Sequence, residues 1–203
     1  PTWQWAKRAG GIYNDVGYGI STDANGNVLV TGYFESDSIS FGSTTLTNVG
    51  GGYADMFIVK YDSIGNVLWA QSEGGTNIDW GYGISTDANG NVFVTGYFQS
   101  DSITFGSTTL NNTGSGTSDI FIVKYNSAGN VLWAKSAGGT SYDKGYSIST
   151  DISGNFFVTG LFQSPSITFG STTLTNAGVA DMFIAKYDSA GNVLWAKSAG
   201  GAN

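Results

Sequence analysis

The chain has 203 residues, a net charge of −7, 31 glycines and neither cysteine nor histidine. That balance excludes disulfides, thiolate nucleophiles, Cys/His zinc sites and a Ser-His-Asp triad. With only 8 Lys and Arg it also leaves no basic track for nucleic acid or an anionic membrane, and no apolar run approaches the roughly 20 residues of a membrane helix.

Composition points the same way throughout. Glycine, Ser, Thr and Asn dominate and only 11% of residues are charged, so turn formers outweigh helix formers and an all-β protein of many short strands is expected. The chain opens at Pro1 without an initiator Met or a signal-peptide pattern, as expected of a mature exported protein or an excised fragment.

The first stretch, Trp3-Gln-Trp-Ala-Lys-Arg-Ala-Gly-Gly11, is a shortened copy of Tyr187 to Gly201, which also recurs from Tyr61 and Tyr125. Trp5, Trp69, Trp133 and Trp195 follow at intervals of 64, 64 and 62 residues. A fixed period of this length signals a propeller, solenoid or array in which neighbouring units bury one another's faces.

Within the second unit, Gly81 to Asp87 reads as strand a and Asn91 to Phe98 as its hairpin partner b across Ala88-Asn89-Gly90. Asp119 to Tyr125 reads as strand c, and the turn Ser127-Ala128-Gly129 leads into strand d, Asn130 to Ser136. Four consecutive antiparallel strands make a propeller blade. Between b and c, Ile103 to Leu110 reads as a small extra hairpin, repeated at Ile39 to Leu46 and Ile167 to Leu174. The expected division is an additional d-type strand over 1–11 and blades over 12–75, 76–139 and 140–203. Strands a, b and c then occur three times and d four times, at Trp3, Val67, Val131 and Val193.

In a meander the a–b and c–d turns share one rim, and the d–a loops and b–c inserts share the other. Units differ most on the second rim, where binding residues tend to sit. Candidate contacts there are the loop aromatics Tyr13, Tyr53, Trp80 and Tyr142, together with Asp15, Asp79 and Asp143. The three aspartates read either as a carboxylate ring for a metal, a sugar or acid–base work, or as ties from a loop to backbone amides. Asp23, Asn25, Asp87 and Asn89 have the alternate oxygens of a calcium loop but lack its distant bidentate acid, and turn chemistry explains them equally. No metal site and no cofactor is expected. Lys60, Lys124 and Lys186 read as outward-facing residues that guard the sheet against stray pairing.

The repeated Tyr-Asp-Ser-x-Gly-Asn-Val-Leu-Trp-Ala-Lys-Ser-Ala-Gly-Gly, followed by Gly-Tyr-x-Ile-Ser-Thr-Asp-x-x-Gly-Asn and Val-Thr-Gly-Tyr-Phe, resembles the bacterial seven-bladed β-propeller (SBBP) repeat family. The resemblance implies an exported or surface-attached bacterial protein built of blades, with no common catalytic site. The Gly-Asn-Val-Leu-Trp strand also looks like the tryptophan-docking strand of quinoprotein-type propellers, without residues matching a quinone site.

Three blades do not close a ring, since the smallest propellers have about four. The expected function is therefore a non-enzymatic structural or interaction module that self-associates, as a closed oligomeric ring or a head-to-tail filament, through edge strands marked by Trp3, Trp5, Val193 and Trp195. The alternative is a carbohydrate-binding propeller that uses the loop-bearing rim. Expected partners are a second copy and, beyond it, a glycan or another surface protein, without nucleic acid or membrane insertion.

Overall fold

The computed structural model describes residues 4–202, and among these every regular element is a strand. The first unit contains β1 (Asp15–Thr22), β2 (Val28–Phe34), β3 (Ser38–Phe41), β4 (Thr44–Thr47), β5 (Asp55–Tyr61) and β6 (Val67–Glu73). The second repeats this as β7 (Asp79–Thr86), β8 (Val92–Phe98), β9 (Ser102–Phe105), β10 (Thr108–Asn111), β11 (Asp119–Tyr125) and β12 (Val131–Ala137). The third consists of β13 (Asp143–Thr150), β14 (Phe156–Phe162), β15 (Ser166–Phe169), β16 (Thr172–Thr175), β17 (Asp181–Tyr187) and β18 (Val193–Ala199).

Each unit is one four-stranded antiparallel blade with a two-stranded hairpin attached. The strand orders are β1-β2-β5-β6, β7-β8-β11-β12 and β13-β14-β17-β18, with β3-β4, β9-β10 and β15-β16 standing apart as small ladders. The a–b and c–d turns close through a shared device, in which an Asp or Asn carbonyl accepts from the glycine three residues on and its own N–H reaches the Asn beyond, as in Asp87/Gly90/Asn91. Register slips by one residue in every first strand, leaving Tyr18, Tyr82 and Tyr146 unpaired as bulges.

Residues 4–14 form no strand. The segment expected as an additional d-type strand therefore joins no ladder among the described residues, whereas each of the other three d strands pairs with the strand c that precedes it. Trp3 lies outside the described residues.

Two of the three core clusters lie between blades, and the third lies on the first blade and its own hairpin. Leu29, Met56 and Ile58 of the first blade are buried in one cluster with Val92, Val94, Phe121, Val123 and Tyr125 of the second. Phe93, Ile120 and Ile122 of the second blade repeat the arrangement against Phe156, Val158, Phe183, Ala185 and Tyr187 of the third. The hairpins seal the outer end, with Phe105 packed 5.1 Å from Phe121 and Phe169 4.9 Å from Phe183. Phe121 is fully buried and serves both its hairpin and the junction. Phe121→Ala is expected to cost about 3–5 kcal/mol through lost burial and a residual cavity, read as a lowered urea midpoint with an unchanged slope.

Candidate blade-docking interface

Both internal junctions are pinned by polar contacts on the turn between the last two strands of a blade. The Ser127 carbonyl accepts from Lys60 Nζ at 3.2 Å and from Trp69 Nε1 at 3.2 Å, both from the preceding blade. Gln71 Nε2 donates to the Gly129 carbonyl at 2.7 Å. At the next junction Lys124 Nζ donates to Ser189 O at 3.0 Å and Lys135 Nζ reaches Gly191 O. The turn glycine is required twice over. Gly129 has φ 90°, and a Cβ there would lie 3.0 Å from the Trp69 ring.

Lys60 and Lys124 are thus not outward guards, as their sequence pattern suggested. Lys60 is buried, 2.9 Å from Asp23, and Lys124 lies 3.8 Å from Asp87. Each couples the first turn of its own blade to the blade that follows. Lys186 repeats the pair with Asp151 at 3.8 Å, both side chains partly exposed.

Asp23 and Asp87 therefore work as turn anchors. Asp23 accepts from the backbone N–H of Asn25 and Asn27 and from Asn27 Nδ2. Burial pushes its carboxyl up, but these bonds and the Lys60 ammonium outweigh that and hold it down at about 2. Asp87 takes the same bonds from Asn89 and Asn91. Asn25 and Asn89 enter these turns through their backbone N–H groups. Among the described residues no cluster of three acidic side chains is placed to hold a metal.

On the opposite rim Asp15, Asp79 and Asp143 clamp the loop entering each blade to the hairpin insert. Asp79 Oδ2 accepts from Ser100 Oγ at 2.7 Å and from Gly75 N at 2.8 Å. Asp15 does the same with Ser36 and Gly11, and Asp143 bonds Ser164. Asp55, Asp119 and Asp181 sit beside them at the start of each third strand. Each bonds one backbone N–H, from Val49, Thr113 and Ala177, and each has one buried oxygen with no partner. That oxygen lies over a glycine of the following loop, where a Cβ at Gly138 would come within 2.0 Å of Asp119.

The aromatic candidates do not converge. Tyr13, Tyr53 and Tyr142 are exposed on separate loops. Tyr142 donates to Gly116 O at 3.2 Å. Trp80 is not a loop residue: it belongs to β7 and stacks on Tyr33 at 4.3 Å, across the first junction. The tyrosines at the bulges were not singled out from sequence. Tyr18 and Tyr82 lie 4.7 Å apart and Tyr82 and Tyr146 5.3 Å, forming an aromatic strip along the first strands.

The two end faces repeat the halves of a junction, with several side chains more exposed than their counterparts within the chain. Ile20 on β1 is 71% exposed, whereas its counterparts Ile84 and Ile148 are 7% and 5% exposed. Beside it Val28, Val30, Phe57, Val59 and Tyr61 line a cavity of about 290 Å³. On the third blade Met182 is 45% exposed, whereas Met56 and Ile120 are fully buried, and Phe157 and Ile184 are only half-buried. Val193 and Trp195 of β18 are likewise half-buried.

The rim carboxylates make stability depend on pH. Burial raises Asp79 to about 7 and Asp55 to about 6. A carboxyl whose folded value lies above its unfolded one binds its proton more tightly when folded, so the stability it contributes falls as pH rises from about 4 through 7. Denaturant unfolding is expected to show a lower midpoint at pH 7.5 than at pH 4.5, and Asp55→Asn is expected to shrink that difference.

The beta-propeller repeat family (SBBP) matches residues 4–33 and 69–101. Each match runs from a docking tryptophan segment through the first two strands of the blade it docks on, so the matched unit spans a junction. The chain is 26% identical over 227 residues to an uncharacterised WD repeat-containing protein of Acanthamoeba polyphaga mimivirus, covering 97% of the chain and 16% of that protein. It is 28% identical over 142 residues to the regulatory protein FlaEY of Caulobacter vibrioides, covering 70% of the chain and 15% of that protein. The chain thus spans about a sixth of the length of these curated relatives. Over these two stretches the chain is similar to the SBBP beta-propeller repeat family.

Proposed function

We propose that this chain is a non-catalytic β-propeller module that associates head to tail with a second copy of itself, the third blade of one docking on the first blade of the other. One observation carries the reading. The side chains that the first two blades bury on their successors recur, exposed or half-buried, on the third as Phe157, Met182 and Ile184, while on the first blade Ile20 of the receiving surface is exposed beside a cavity lined by Val28, Val30 and Trp5. Lys186 is the counterpart of Lys60 and Lys124, and its acceptor would be Ser63 O of the second copy.

Such an interface is heterologous, so it closes into a ring if the rotation allows and otherwise grows as a filament. Two copies supply six blades, within the range of about 4–8 found in closed propellers. Three apolar side chains contribute about 1.5–3 kcal/mol each on burial, comparable with the ~4–15 kcal/mol that association costs. The polar pins decide the balance, and reversible rather than permanent association follows. In this reading the module is exported and works at a bacterial surface, as its repeat family suggests.

Light scattering over a concentration series tests it. The expected result is a species of twice the 21.2 kDa chain mass, or a series of higher multiples, reduced to monomer by Met182→Asp. A chain that stays monomeric at hundreds of micromolar contradicts the proposal.

A further inference from the structure

We propose that the cleft at the second junction, between β12 and the hairpin and last turn of the third blade, binds a small organic carboxylate through the Tyr187 hydroxyl and the Lys135 ammonium. The inference is independent of head-to-tail docking, because every residue in it belongs to a junction inside the chain. Its basis is a difference between two junctions that are otherwise built alike.

At the first junction the outer strand of the leading blade carries Gln71 and Glu73. Gln71 makes the docking bond to Gly129 O, and Glu73 Oε2 accepts from the Tyr125 hydroxyl of the following blade at 3.4 Å. At the second junction the same two positions are Lys135 and Ala137. Lys135 makes the equivalent docking bond to Gly191 O, so the exchange keeps the pin and alters the charge. A neutral residue with an acid has become a cation with an alanine, and the carboxylate that met the tyrosine is gone.

What Glu73 fills, Ala137 leaves open. A cleft of about 310 Å³ is lined there by Lys135, Ser136, Ala137, Thr168, Tyr187 and Asn192, at the lower end of the range for small-molecule sites. Tyr187 is 3% exposed, and its hydroxyl, which corresponds to the one that bonds Glu73, makes no hydrogen bond among the described residues. A buried hydroxyl without a partner is costly. Burial also raises the phenol, which keeps its proton available for donation. The Lys135 stem runs along the cleft, its Cε 3.1 Å from where a Cβ on Gly191 would stand. Its ammonium gives one of three N–H groups to Gly191 O, and it forms no salt bridge among the described residues. A neutral donor and a cation facing one space are what a carboxylate takes in charge-assisted bonds.

The cleft appears again where alanine again stands in the Glu73 position. Before the first blade that residue is Ala9, and Lys7, Arg8, Ser43, Tyr61 and Asn66 line a cleft of about 300 Å³ beside it. Tyr61 is buried there as Tyr187 is.

Amide NMR of the full 203-residue chain tests the site, with propionate, which reproduces the Glu73 side chain, with glucuronate, and with 1-propanol and glucose as neutral controls. The expected result is saturable shifts at Gly191 and Asn192 with the acids and none with the controls. Tighter binding of propionate assigns the site to a small free acid, and tighter binding of glucuronate to an acidic sugar. Tyr187→Phe and Lys135→Gln are each expected to weaken binding roughly tenfold or more, and Ala137→Glu, which restores the side chain of the first junction, to abolish it. Circular dichroism confirms the sheet content of each variant. Absence of saturable shifts at Gly191 and Asn192 with either acid overturns the proposal. Equal shifts with the neutral controls, or unchanged binding in Tyr187→Phe or Lys135→Gln, overturn it as well.

Discussion

The structure depends on a backbone carbonyl in a tight turn. Ser127 O receives an indole N–H and a lysine ammonium from the preceding blade, and it can do so only because a glycine two residues later leaves room for the indole. That carbonyl fixes the distance between two sheets whose apolar faces would otherwise be free to slide. A buried lysine is expensive unless paired and hydrogen-bonded, and Lys60 is both, through Asp23 and Ser127. The pin therefore sets register between blades, while the side chains around Phe121 and Tyr125 supply the hydrophobic stabilisation.

The opposite rim shows the cost of the same construction. Each blade begins by burying an aspartate against a serine hydroxyl and a loop amide, and sets a second aspartate beside it with one oxygen unanswered. These groups hold the loops in place at the expense of desolvated carboxyls. The first glycine after every outer strand is explained by this crowding, since a side chain at Gly74, Gly138 or Gly200 would collide with Asp55, Asp119 or Asp181.

Much of this was legible in the sequence, and the rest was hidden for physical reasons. Strands such as Asp119 to Tyr125 and turns such as Ser127-Ala128-Gly129 are local features, set by β-branched and aromatic residues and by glycine at positive φ, so the blades and their inserts could be read directly. Residues 4–11 carry the letters of an outer strand but join no ladder among the described residues. Pairing is a tertiary property, and sequence similarity to Val193 to Gly201 does not supply it. Lys60 failed for a related reason: its burial comes from the following blade, not from its own strand. Trp80 was misplaced because β7 begins earlier than its glycine-rich start suggests. The bulge tyrosines escaped notice because a one-residue slip in pairing leaves no mark on the apolar pattern.

The central claim is that the third blade of one copy meets the first blade of another as the internal blades meet. In both internal junctions Met56 and Ile84, and Ile120 and Ile148, share a cluster, so Met182 of one chain and Ile20 of another should be neighbours. The absence of native cysteine makes a disulfide test direct: chains carrying only Met182→Cys are mixed with chains carrying only Ile20→Cys and oxidised gently. Head-to-tail docking predicts rapid formation of the mixed 182–20 disulfide in preference to either symmetric one. Preferential 182–182 crosslinking, or none beyond that of denatured controls, would contradict the account.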